Sequence, residues 1–206
     1  MIRYLSKVNP KKLKGVALLR LDFNTEDDWR VEAALSTVRF LLARFSKIVI
    51  VSHKGRPRGF DKKLILRSGA LIIQKLLGKK VFFIPHFRFG EIKKKIADSP
   101  RGTIFVLENL RFMSGERKNS TALAKKLSEL ADFYVNDAFS VCHRREASVS
   151  AITNFLPSYA GMELEREIKS LSRVMKNVRH PLVFILGGEK AGDKLGILRY
   201  FRRRAD

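Results

Sequence analysis

Short apolar runs rich in β-branched residues recur along this chain, at residues 16–21, 48–51, 81–84, 103–107, 133–135 and 182–186, with segments of helical spacing between them. Runs of that length suit buried strands. Residues 31–45 place Val31, Leu35, Val38, Leu41, Leu42 and Phe45 on one helical face, and residues 64–77 run up to a terminating Gly78. Residues 120–130 read as a helix capped by Ser120, and residues 161–176 as a longer helix after the breaker Pro157. This alternation predicts an α/β fold: a Rossmann-like parallel sheet with helices on both faces, in three layers, joined by right-handed crossovers. His180-Pro181 then begins one more strand and helix. A lone strand-helix unit closes no core, so it must add to the main sheet or open a second, truncated domain.

Charge narrows the partners. Lys and Arg number 42 against 20 Asp and Glu, a formal net charge of +22. Such an excess favours anions: nucleic acid, anionic lipid or phosphorylated metabolites. The basic residues are spread in runs such as Lys93-Lys94-Lys95 and Arg202-Arg203-Arg204, as on solvated helix faces. The single Cys142 excludes an internal disulfide, and no apolar stretch reads as a signal peptide or a membrane span, so a cytoplasmic protein is expected.

In a parallel sheet the carboxyl ends of the strands converge on one edge, where ligands bind. Five polar segments fall there: Asp22-Phe23-Asn24, Ser52-His53-Lys54-Gly55-Arg56-Pro57, Glu108-Asn109-Leu110-Arg111-Phe112, Asn136-Asp137-Ala138-Phe139 and His143-Arg144. Arg56, Arg111 and Arg144 come from three separate connections, and guanidinium groups grip phosphate or carboxylate oxygens in pairs. His53 lies a turn before Arg56. Asp22 and Asn24 add an acceptor and an amide that can orient a hydroxyl or carboxylate. Any one of these arginines alone reads as an ordinary surface residue; their shared position favours a small phosphorylated anion.

Other constellations carry less. Gly187-Gly188-Glu189-Lys190-Ala191-Gly192-Asp193-Lys194 follows a strand and opens a helix, as phosphate loops do, but its spacing is not that of a Walker loop. His53, His86, His143 and His180 are scattered, so no metal site is expected. Neither a serine-hydrolase elbow nor a dinucleotide fingerprint is present. Phe82, Phe83, Phe87 and Phe89 read as core rather than as a stacking surface for bases.

Taken together, Arg20-Leu21-Asp22-Phe23-Asn24, Ser52 to Pro57, Leu107 to Phe112, Val135 to Phe139 and Leu186-Gly187-Gly188-Glu189-Lys190 resemble phosphoglycerate kinase over nearly the whole chain. The resemblance implies a 3-phosphoglycerate-binding Rossmann-like domain over residues 1–160, an interdomain helix over 161–179, and the first strand-helix unit of a nucleotide-binding domain over 180–206. By motif, Asp22, Asn24, Arg30, His53, Arg56, Arg111 and Arg144 would hold 3-phosphoglycerate or 1,3-bisphosphoglycerate. Arg30 would also steady the transferring phosphoryl group. Lys190 and Lys194 would meet that group and the phosphates of Mg-ATP or Mg-ADP, with Lys190 catalytic.

Two departures from the family pattern stand out. Glu189 replaces a small residue, and Glu146 stands where the family usually has a second histidine after His143-Arg144. The family's second phosphate loop, magnesium acid and adenine pocket would lie beyond Asp206. Transfer needs both reactants positioned and the developing charge neutralised, so the expectation for this chain alone is little or no kinase activity. Two further readings remain open: a non-catalytic protein binding nucleic acid or another polyanion, and one half of a split kinase whose nucleotide half is a separate chain.

Overall fold

The computed structural model describes residues 2–24, 29–44, 46–176, 180–187, 195–202 and 204–206, without the side chain of Arg30. The chain divides into two compact units, Met1–Glu165 and Arg166–Asp206.

The first unit holds six parallel strands: β1 (Val16–Arg20), β2 (Lys47–Val51), β3 (Val81–Ile84), β4 (Ile104–Leu107), β5 (Phe133–Asn136) and β6 (Ser158–Ala160). Their order across the sheet is β3-β4-β2-β1-β5-β6. The strands' near-continuous apolar character is what a sheet covered on both faces requires. Successive β1 residues show it: Ala17 and Leu19 belong to one core, and Leu18 to the other.

Helices α1 (Trp29–Leu42) and α2 (Arg67–Leu77) cover the first face, burying Val31, Ala34, Val38 and Leu41 with Ala70 and Ile73 against Leu19, Ile48 and Ile50. Helices α3 (Phe89–Asp98) and α5 (Thr121–Ser128) cover the other, with Ile92, Ile96, Leu123 and Leu127 on Leu18, Val49, Phe105 and Leu107. A short α4 (Ser114–Arg117) precedes α5. Each fully buried Leu or Ile contributes about 1.5–3 kcal/mol, so these stripes fix the three-layer α/β/α arrangement the alternation predicts.

Local signals also hold. Gly78 closes α2 in the left-handed conformation at φ 61°, and the Ser120 hydroxyl accepts from Leu123 N at 3.3 Å to cap α5. Strand β6 escaped the sequence reading. It is three residues long, lies directly after Pro157 and exists through its pairing with β5, with Tyr4 bridging at Ala160 on its other side.

In the second unit, α6 (Met162–Lys176), which begins in the first, continues to its end, and α7 (Leu195–Phe201) forms near the terminus. Residues 182–186 are not a strand, against the sequence expectation, and do not join the six-stranded sheet. A strand exists only where a neighbour accepts its ladder, and among the described residues none does. What holds this unit is local. Phe184 stacks on Phe201 at 4.5 Å, and Asp206 accepts from Leu182 N at 2.6 Å while facing His180 Nδ1 at 2.7 Å.

Candidate functional site: a buried anion cradle

Arg20 is the last residue of β1 and is wholly buried. A charge there costs several kcal/mol unless it is bonded. Its guanidinium donates to Leu21 O, to Ser52 Oγ at 3.2 Å and to His53 Nδ1 at 2.6 Å. Ser52 Oγ donates in turn to Leu21 O and accepts from Phe23 N, so the turns after β1 and β2 are locked together through one hydroxyl. Asn24 adds a second tie by accepting from Gly55 N at 2.7 Å. Gly55 sits at φ +65°, where a side chain would be strained and would also meet Leu64.

His53 is 1% exposed. Burial, followed by the charges of Arg20 and Arg111, pushes its pKa down to about 2. It is therefore neutral. An arginine nitrogen can only donate, so Nδ1 is the acceptor and the proton sits on Nε2, which is buried without a partner among the described residues.

Arg111 follows β4 and is held from both sides. Nη1 donates to Gly55 O and Nη2 to Glu146 Oε1, each at 2.6 Å. Burial lowers its pKa despite the Glu146 carboxylate. Arg144 is half-buried, with Nη1 3.6 Å from the same Glu146 oxygen. The Nε atoms of Arg20, Arg111 and Arg144 are all buried without a partner among the described residues. Arg111 and Arg144, though not Arg20, line a cavity of about 380 Å³ together with Arg56, Arg117, His143, Arg145 and Glu146. Buried polar atoms in native proteins are nearly always bonded, so this concentration of unused donors fits a bound anion.

Three carboxyl or amide groups of the same motifs do structural work. Glu108 accepts from Leu66 N and Asn109 N, fixing the entry to α2. Asn109 donates to Lys54 O and Leu64 O, and accepts from Arg111 N. Asp137 Oδ1 accepts from Leu164 N at 2.9 Å at the start of α6, and burial raises its pKa to about 6. Asp22 is different. Burial pushes its carboxyl up, but the Ser140 hydroxyl, the Asn24 amide and the Arg20 charge outweigh that and hold it below its ordinary value.

The structure thus brings Arg56, Arg111 and Arg144 to one cavity, whereas His53 is bonded to Arg20 and is not among the described residues that line it; Asp22 and Asn24 lie in the turn after β1. The side chain of Arg30, and Lys190 and Lys194 altogether, lie outside the described residues. Sequence reasoning missed Arg20, although a charge inside the run Val16-Ala17-Leu18-Leu19-Arg20-Leu21 was a usable signal. It also missed Arg117, which needs α4 to reach the cavity. A second concavity of about 430 Å³, at the opposite edge of the sheet, is lined by Lys14, Arg44, Lys47 and Arg101 with Gly15 and Val16. There Lys47 is already engaged by Ile96 O and Ala97 O. Among the described residues no group of three or more His, Cys, Asp or Glu could hold a metal ion, and no helix is long and apolar enough to cross a membrane.

Residues 12–206 match the family model for phosphoglycerate kinase. Curated phosphoglycerate kinases from Pseudothermotoga lettingae and from a Wolbachia of Drosophila simulans are 40% and 41% identical to the chain, each over 92% of it and over 50% and 49% of their own lengths. The chain spans about half the length of these relatives. Among solved structures, phosphoglycerate kinase from Pyrococcus horikoshii OT3 superposes with a TM-score of 0.87 at 32% identity, over 100% of this chain and 54% of that one. The Coxiella burnetii enzyme gives 0.84 at 30%, covering 100% and 53%.

Proposed function

Because the chain belongs to the phosphoglycerate kinase family, we propose that it is the substrate half of such an enzyme, holding 3-phosphoglycerate in the cradle at the sheet edge. The observation that carries this reading is the pair of buried, unused donors on Arg111 and Arg144 lining a basic cavity, with further unused donors on the bonded pair His53 and Arg20. A phosphate dianion would satisfy several of them at once, with Arg56 and Arg144 at the mouth and the neutral His53 donating from Nε2. Asp22 and Asn24, in the adjoining turn, orient the hydroxyl and carboxylate end of the ligand, and Arg30 steadies the transferring group.

In the complete reaction the acyl phosphate of 1,3-bisphosphoglycerate passes directly to ADP, with Lys190 and Lys194 meeting the transferred group and the nucleotide. The nucleotide and its magnesium are substrates held largely by the other half of the enzyme. Residues 1–160 form the substrate domain, 161–179 the connecting helix and 180–206 the opening of the nucleotide domain. The second unit exposes Val183, Ile185, Leu195 and Ile197. These apolar side chains fit a surface that a nucleotide-binding polypeptide covers, on this chain or a separate one. A cytoplasmic site of action goes with the glycolytic reaction.

Calorimetric titration with 3-phosphoglycerate tests the reading. Selective binding over glycerate, lost in Arg56→Ala and only modestly weakened by salt, is the expected result. The net charge of +22 favours one other reading, a polyanion-binding protein. Equal binding of every anion, with a steep loss in salt, would select it.

A further inference from the structure

We propose that Glu146 is a built-in counter-ion of the anion cradle, a carboxylate whose presence lowers the cradle's affinity for phosphate. The proposal rests on the reading of this cradle as the 3-phosphoglycerate site.

Among the described residues Glu146 is the one acidic residue lining the cavity, and it is 5% exposed. Its Oε1 accepts from Arg111 Nη2 at 2.6 Å and lies 3.6 Å from Arg144 Nη1, while Oε2 is buried with no partner among the described residues. Two of the five N–H donors of Arg111 are engaged, one on Nη1 by Gly55 O and one on Nη2 by Glu146, and Nε has no partner among the described residues. An incoming phosphate must either take Arg111 from Glu146 or sit beside a carboxylate that shares the same guanidinium, and like charges at that range repel.

The carboxylate is also not free to leave. The segment that carries it is pinned by Ala147 N donating to Glu116 O at 2.9 Å, and by Ser148 donating to the Glu116 carboxylate through both Oγ and N. Tyr134 adds a bond from its hydroxyl to Ser148 O at 2.7 Å. The same carboxylate offsets the cost of burying the Arg111 charge, so it keeps the guanidinium in place while competing with the ligand. An ion pair of this kind lowers affinity without dismantling the site.

Glu146→Gln removes the charge but keeps the size and an acceptor for Arg111 Nη2. In calorimetry at fixed ionic strength it should bind inorganic phosphate and 3-phosphoglycerate about tenfold more tightly than the unaltered chain, the scale of one charged hydrogen bond. Glu146→His should tighten binding in the same direction. Equal or weaker binding by a folded Glu146→Gln, judged by its circular dichroism, overturns the proposal.

Should both variants fail to fold, the side-chain nitrogen resonances of Arg111 in the unaltered chain decide. They should shift as phosphate displaces Glu146, and constancy at saturating phosphate overturns the proposal. The two readings separate cleanly. Tighter phosphate binding by the variant, without preference for 3-phosphoglycerate, keeps the counter-ion and sinks the substrate reading. Selective 3-phosphoglycerate binding that Glu146→Gln leaves unchanged does the reverse.

Discussion

His53 follows β2 and Asp137 follows β5, the strands on either side of β1, and the two titrate in opposite senses. The folded pKa of His53, about 2, is far below its ordinary 6.5, so its contribution to stability is fully present above pH 6.5 and is lost as pH falls below it. Asp137 is raised from 3.8 to about 6, so its contribution is fully present below pH 3.8 and is lost as pH rises through 6. Urea unfolding should therefore show Asp137→Asn gaining on the unaltered chain by about 2 kcal/mol between pH 4 and pH 7. His53→Gln should lose less stability than the unaltered chain between pH 7 and pH 5, by roughly 1–2 kcal/mol. Parallel pH curves for variant and unaltered chain would refute either assignment. At this scale the sequence was informative about which residues meet and silent about their state. The positions of His53, Arg111 and Arg144 followed from strand ends, whereas the neutral His53 and the Arg111–Glu146 pair depend on burial and on contacts between segments far apart in the chain.

Elements with a strong period or a clear terminator were legible. Residues 31–45 and 64–77 became α1 and α2, and Gly78 and Ser120 took the roles their chemistry suggests. Ser120→Ala should cost about 1 kcal/mol in unfolding free energy, because Leu123 N loses its acceptor. An unchanged midpoint would mean that the cap contributes nothing. Elements that depend on neighbours were not legible. Helix α3 buries only Ile92 and Ile96 among lysines, so its sequence reads as a charge run. Strand β6 is created by β5, and residues 182–186 look like a strand but find no ladder among the described residues. Local pattern states what a segment can do; pairing decides whether it does.

For the whole molecule, the six-stranded order places the ends of β1, β2, β4 and β5 beside one another, and this alone turns dispersed motifs into a cradle. The chain spans about half of its relatives' length, and the proposed division of labour puts substrate binding here and most nucleotide contacts elsewhere. Incubated alone with 1,3-bisphosphoglycerate and Mg-ADP, it should form no measurable ATP. Turnover at a rate typical of kinases, about 1–100 per second, would refute that division. The central claim is that the buried donors await a phosphate, and a crystal structure of the chain with 3-phosphoglycerate tests it most directly. The account predicts the phosphate within hydrogen-bond distance of His53 Nε2 and of the Arg111 and Arg144 guanidiniums. Ligand found only in the basic concavity at the opposite edge, with His53 Nε2 and the three arginine Nε atoms still unpaired, would contradict it.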